Sequence, residues 1–274
     1  MLKQRKYNNM TYILIGLVTS LVWIYPFYLV LVNSFKTKGE IFTNTLNLPF
    51  DPTFANYPVA LEQLDFFSSF LNSVMITTGS IAIIVLFTSM AAYALSRKPS
   101  KTSSAIYFLF ALLMLVPFQS IMIPLISIFS KVHLLNRFGL MIMYLGLASS
   151  MAVFLYFGAL RGIPKALDEA AIIDGCNRFQ VFWYIIFPML KSTSVTVIVL
   201  NAIWFWNDYL LPSLVINKPG MYTIPLKTFY FFGEYSKQWH LALAALVLAI
   251  IPIIVMYMFL QKYIVKGISD GAVK

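Results

Sequence analysis

Six runs of mostly apolar residues govern what this chain can become, because each is about as long as a helix must be to cross a hydrocarbon core roughly 30 Å thick. They fall near residues 11–33, 68–95, 104–129, 138–160, 192–214 and 241–261. Of the 274 residues, 60% are hydrophobic and only 11% charged, proportions that exclude an ordinary water-soluble domain. Inside a bilayer every backbone N–H and C=O must find its partner within the protein. Runs of this length therefore point to helices and not to barrel strands. The expectation is an all-α polytopic membrane protein with six transmembrane helices.

The formal charge of +10 is not the mark of a nucleic-acid binder, because Lys and Arg sit in short clusters between the apolar runs, where orientation signals belong. With the N-terminus inside, the inner segments hold 13 of these residues: Lys3, Arg5, Lys6, Arg97, Lys98, Lys101, Arg161, Lys165, Arg178, Lys191, Lys262, Lys266 and Lys274. The outer segments hold 7, namely Lys36, Lys38, Lys131, Arg137, Lys218, Lys227 and Lys237. This excess places both termini in the cytoplasm. The stretch from Tyr12 to Val32 is too long for a signal peptide and lacks a small-residue cleavage site, so it reads as a retained first span. The expected organisation is a cytoplasmic N-terminus at 1–10, one six-span domain at 11–264 with a cytoplasmic loop at 161–191, and a cytoplasmic tail at 265–274. The outer segment 34–67 contains Pro49, Asp51, Pro52 and Pro58, a turn-rich pattern that suits an external loop with short helices. No repeat is evident, and the halves lack the internal symmetry that many secondary carriers show.

Little in the sequence suggests chemistry carried out by the chain itself. Cys176 is the one cysteine, so neither an intramolecular disulfide nor a cysteine metal cluster is expected. His133 and His240 have no carboxylate or second histidine at metal-ligand spacing and read as interfacial. No catalytic residue, metal or cofactor is expected. Asp208 is the one acidic residue inside an expected span, about 17 residues beyond Lys191 and so roughly 25 Å along the fifth helix. Around it stand Trp204, Trp206, Asn207 and Tyr209, the rings and hydrogen-bonding groups that a sugar site uses. Trp204, Asn207, Asp208 and Tyr209 are therefore a candidate substrate pathway. Equally, Asn207 and Asp208 could satisfy backbone groups freed by Pro212 while the rings form an interfacial belt.

The inner loop has helical order of its own. Pro164 suits a first helical turn and Gly175 a left-handed exit, giving a helix of about eleven residues. Leu167, Ala170, Ala171 and Asp174 are spaced i, i+3, i+4 and i+7, which places small residues on one side with Glu169 beside them. Asn177 can cap a second short helix whose Phe179, Phe182, Trp183 and Ile186 pack at the membrane surface, before Pro188 breaks the path. The alternative is a loop that merely covers helix ends.

The order Glu169-Ala170-Ala171, three residues, Gly175, nine residues, Ile185, one residue, Phe187-Pro188 resembles the EAA loop of bacterial ABC importer permeases, with Phe187 where Leu is usual. Further stretches resemble the maltose-type carbohydrate-uptake branch, second permease subunit. They are Pro52-Thr53-Phe54-Ala55-Asn56-Tyr57, Phe70-Leu71-Asn72-Ser73, Ala91-Ala92-Tyr93-Ala94-Leu95-Ser96-Arg97, Trp206-Asn207-Asp208-Tyr209-Leu210-Leu211-Pro212 and the terminal Gly271-Ala272-Val273-Lys274. The resemblance implies a type I (MetI-like) permease fold in a bacterial inner or plasma membrane. It also implies a second permease subunit, an ATPase dimer, and an extracytoplasmic solute-binding protein that delivers a sugar or oligosaccharide. By the same resemblance Glu169, Ala170, Ala171, Asp174 and Gly175 couple the permease to the ATPase. The chain has no G-x-x-x-x-G-K-[ST] phosphate loop, so ATP would be hydrolysed on a partner chain. A permease for a non-sugar solute is the alternative, and a secondary carrier a more distant one.

Overall fold

Proline decides where the apolar runs stop being straight helices. The computed structural model describes residues 2–234 and 238–272, with side chains described for 10–229, 238–259 and 261. The side chains of Lys3, Arg5, Lys6, Lys262 and Lys266, those of the terminal run 271–274, and Lys237 lie outside that description. In chain order the helices are α1 (Leu2–Ser34), α2 (Lys38–Thr43), α3 (Asn56–Gln63), α4 (Phe66–Arg97), α5 (Lys101–Leu113), α6 (Phe118–Lys131), α7 (Arg137–Arg161) and α8 (Ala166–Ile173). They continue as α9 (Arg178–Gln180), a π-helical turn (Val181–Ile186), α10 (Phe187–Met189), α11 (Lys191–Asn207), α12 (Leu210–Val215), α13 (Ile224–Glu234) and α14 (Trp239–Ala272).

Four helices are long and apolar enough to cross a membrane unaided: Met10–Ser34, Phe66–Arg97, Arg137–Arg161 and Trp239–Phe259. The other two runs depart from the straight spans expected of them. Residues 104–129 form α5 and α6, which meet at 108°. Pro117 is extended at φ −69° and ψ 139° and pushes the residue before it out of the helical region, so the chain turns there. The fifth run, 192–214, follows the break expected at Pro188, where α10 meets α11 at 74°. It then ends at Asn207 instead of 214, because the Pro212 ring would collide with the carbonyl of Asp208 four residues back. Asp208 is extended at ψ 125°.

The chain divides into two compact units, residues 1–66 with 227–252 and residues 67–226 with 253–274. In the first, Ala60 and Leu64 of α3 pack with Leu241, Ala242, Ala244 and Ala245 of α14, where small residues let helices approach closely. The segment after α1 is organised by Lys36, which is fully buried. Its ammonium donates to Asn33 Oδ1 at 3.0 Å and to the carbonyls of Asn44 and of Asn47, the latter at 2.7 Å. Burial lowers the pKa of this ammonium from its ordinary value, and the Glu40 carboxylate opposes that. Asn56 closes the segment by donating to the carbonyls of Ser34 and Lys36 at 2.8 and 3.0 Å, while Tyr57 bonds Ser34 at 2.7 Å. The rings of Phe35, Phe54 and Tyr57 cluster beside them.

In the second unit α7 supplies the centre, burying Leu140, Met143, Tyr144, Ala148, Ala152, Val153, Tyr156 and Leu160. Its first turn needs Gly139, because a Cβ there would stand 1.8 Å from the Leu134 carbonyl oxygen. Asn72 of α4 donates to the carbonyls of Gly220 and Tyr222 at 2.9 and 3.1 Å and accepts from Arg137 at 2.6 Å. Ser73 accepts from the Ile224 N–H at 2.9 Å. Phe70-Leu71-Asn72-Ser73 thus pins the turn between α12 and α13.

Lys36→Met is expected to leave the Asn44 and Asn47 carbonyls without their charged donor, at roughly 1–3 kcal/mol, and so to loosen residues 36–56 without preventing membrane insertion. Limited proteolysis of membranes should then cut this segment faster than in the wild type; equal cutting rates refute the expectation.

Candidate functional site

The loop between α7 and α11 contains one eight-residue helix, α8, shorter than the eleven residues expected. Its exit is a full Schellman turn: Gly175 N–H donates to Ile172 O at 3.0 Å and Cys176 N–H to Ala171 O at 2.9 Å. Gly175 lies at φ +90° in open space, so glycine is needed there for its conformation and not for room. Asn177 forms the expected cap, in the stronger form of a capping box with Gln180. The following turn is π-helical, with Phe182 and Ile186 buried and Trp183 half-buried, and Phe179 of α9 just before it is exposed.

Of the side that helical spacing groups together, only Ala171 faces the body. Ala171 is only 4% exposed, and its inward neighbour is Asp168, at 8%. Leu167, Ala170 and Asp174 face outward with Glu169, Ile172 and Ile173. The reason is a polar contact outside the apolar pattern. Asp168 ion-pairs with Arg97 Nη2 at 3.0 Å, accepts from Arg97 Nε at 3.2 Å and accepts from the Tyr93 hydroxyl at 2.6 Å. Arg97 also donates to the Ile163 carbonyl at 3.1 Å. Sequence reasoning missed Asp168. The one signal available was the Ala91-to-Arg97 motif, which has donors at its third and seventh positions, Tyr93 and Arg97, but names no acceptor.

The candidate pathway residues are only partly brought together. Asp208 accepts from the Tyr144 hydroxyl at 2.9 Å and from the N–H groups of Leu210 and Leu211 at 3.0 and 3.4 Å, so its carboxylate opens α12. Tyr144 stacks on Phe205 with ring centroids 4.2 Å apart. Trp204 lines a cavity of about 540 Å³ between the α5–α6 elbow, α7 and α11, where Ser150 and Asn201 are the polar lining residues. It also lines a smaller one of about 200 Å³ shared with Gln119 and Asp208. Asn207 is exposed and spends its amide on the Ile203 carbonyl at 2.7 Å, and Tyr209 is exposed. Neither lines these cavities. Among the described residues no group of His, Cys, Asp and Glu could hold a metal ion.

Comparisons with known proteins show the family of this helical membrane chain. Residues 84–270 match the family described as binding-protein-dependent transport system inner membrane component. The chain is 54% identical to the probable starch degradation products transport system permease protein AmyC of Thermoanaerobacterium thermosulfurigenes, over 98% of this chain and 99% of that one. It is 37% identical to the multiple sugar-binding transport system permease protein MsmG of Streptococcus mutans, over the whole of both chains. Its fold matches a chain of a bacterial ABC transporter involved in the import of the acidic polysaccharide alginate, with a TM-score of 0.78 and 25% identity, covering 94% of this chain and 96% of that one. The chain belongs to the family of binding-protein-dependent transport system inner membrane components.

Because Asp208 serves as an acceptor, Asp208→Asn should keep most transport activity, whereas Asp208→Leu should orphan the Tyr144 hydroxyl and two backbone N–H groups at roughly 1–3 kcal/mol and abolish most of it. Uptake at matched membrane abundance decides the matter, and an inactive Asn variant would mean that the charge itself is required.

Proposed function

We propose that this chain is one of two permease subunits forming the path by which a sugar or oligosaccharide enters the cell. The observation that carries this reading is full-length similarity to permeases of starch-product and multiple-sugar transport systems. A solved relative belongs to a transporter that imports the acidic polysaccharide alginate, in keeping with a carbohydrate cargo. The solute arrives on an extracytoplasmic binding protein, and the energy comes from an ATPase dimer on the cytoplasmic face. The chain itself hydrolyses no ATP, consistent with a sequence that lacks a phosphate loop. Both termini are cytoplasmic, following the distribution of Lys and Arg.

In this reading residues 11–264 make the six-span permease domain, flanked by cytoplasmic segments 1–10 and 265–274, and 161–191 is its coupling loop. Glu169, Ala170, Asp174 and Gly175 lie on the exposed side of that loop, with Ile173, 85% exposed, beside them. An exposed apolar residue next to a carboxylate suits docking against another protein better than contact with water alone. Ala171 contributes from beneath, its small side chain letting α8 lie close to the body. For the substrate, Trp204 offers a ring face to the cavity and Asp208 a fixed acceptor at its edge, while Asn207 and Tyr209 sit outside it.

Glu169→Lys should leave the chain in the membrane but lose solute uptake per ATP hydrolysed, since the reversal falls on the docking side. Uptake and ATP hydrolysis by the reconstituted complex test this, with a wild-type ratio counting against it. Liposomes containing this chain without the ATPase should show no uptake, and any uptake there would point to a self-contained carrier.

A further inference from the structure

Asp168 is out of place as a docking residue. It immediately precedes Glu169 yet faces the opposite way, into the body of the second unit. A carboxylate at 8% exposure is costly unless paired, and this one meets a guanidinium and a phenol at once. All its partners come from one element, the last turn and a half of α4.

That end of α4 holds the loop at three points along its length. Arg97 donates to the Ile163 carbonyl just past α7 and pairs with Asp168 in α8. Tyr93 donates to Asp168, and its ring lies against Phe182 of the π-helical turn with centroids 5.3 Å apart. The other end of α4 is anchored just as firmly, since Asn72 binds Gly220, Tyr222 and Arg137. Asn72 and Arg97 are separated by 25 residues of unbroken helix, about 37 Å at 1.5 Å per residue. A rod of that length, gripped at both ends, shifts as one piece.

We propose that Tyr93 and Arg97 are positioning residues that hold α8 through Asp168, so that displacement of the loop's exposed side is passed to α4 and along it to the turn at 218–222. This rests on the reading of the loop as the ATPase-coupling element. It adds the grip by which the loop's movement enters the membrane. Within the loop it separates two roles held by adjacent residues, Glu169 receiving the push and Asp168 transmitting it.

The test uses the complete complex, with both permeases, the ATPase dimer and the binding protein, reconstituted in vesicles. The probe is maltotriose, or whichever oligosaccharide the wild-type complex takes up. Arg97→Gln and Asp168→Asn should each lower oligosaccharide taken up per ATP hydrolysed by about tenfold or more, while the ATPase subunits still co-purify and hydrolyse ATP. Arg97→Lys should recover part of the loss. The double variant should be no worse than the worse single one, because both act through one contact. Single variants with the wild-type ratio, a double variant whose losses multiply, or loss of the ATPase subunits from the complex would each overturn the proposal. Glu169→Lys runs alongside as the control for the underlying reading. If it also keeps the wild-type ratio, the loop is not the coupling element and both readings fall; if it uncouples while the Arg97 and Asp168 variants do not, the grip alone is wrong.

Discussion

A polar group in hydrocarbon has no water to fall back on, and the structure is arranged around that constraint. The helices satisfy the backbone, and many of the polar side chains they bury find partners close by. Tyr156 meets Ser194 at 2.9 Å, Asn201 returns its amide to Val197, and Thr88 bonds the Ile84 carbonyl. The larger polar groups are used to tie segments together. Asn72 holds a turn more than 140 residues away in the chain, Lys36 gathers the carbonyls of the segment that follows it, and Asp168 binds a loop to a span.

These ties differ in what they offer function. The Asn72 and Lys36 contacts are largely to backbone carbonyls, and they fix local shape. The Asp168 contact joins side chains on separate elements, one of which continues across the membrane region. An ion pair with two further donors resists separation in several directions, whereas apolar packing alone can slide. That difference is why the α4 end is suited to passing motion on and not merely to covering the loop.

Asp208 shows how a residue can be conspicuous in sequence for one reason and placed in the fold for another. An acid within an apolar run invites a role in ion or substrate handling. Here Pro212 ends the helix, the extended Asp208 backbone starts a new one, and the carboxylate caps the first N–H groups of α12 while receiving the Tyr144 hydroxyl. The larger cavity is bordered by Trp204 and by the elbow that Pro117 creates, and Asp208 reaches only the smaller one.

Much of the architecture was legible in the chain alone. Hydropathy marked all six apolar runs, Gly175 and Asn177 marked the loop's turn and cap, and the spacing from Glu169 to Pro188 marked the loop itself, because these signals depend on residues close in sequence. The break at 190 was marked by Pro188, but the bend at 114–117 was less legible, since proline is compatible with both a kink and a continuous helix; α1, α6 and α14 each pass through one unbroken. The inward side of α8 was not legible at all. Helical spacing grouped Leu167, Ala170, Ala171 and Asp174 on one side, but the side that packs was chosen by Tyr93 and Arg97, whose positions relative to Asp168 exist only after α4 and the loop have folded against each other. The sequence by itself determined the helical character, the places of the apolar runs and the family. Tertiary structure decided which of the adjacent acids Asp168 and Glu169 is buried and which is exposed, because a charge can be buried only where distant chain segments bring its partners to it.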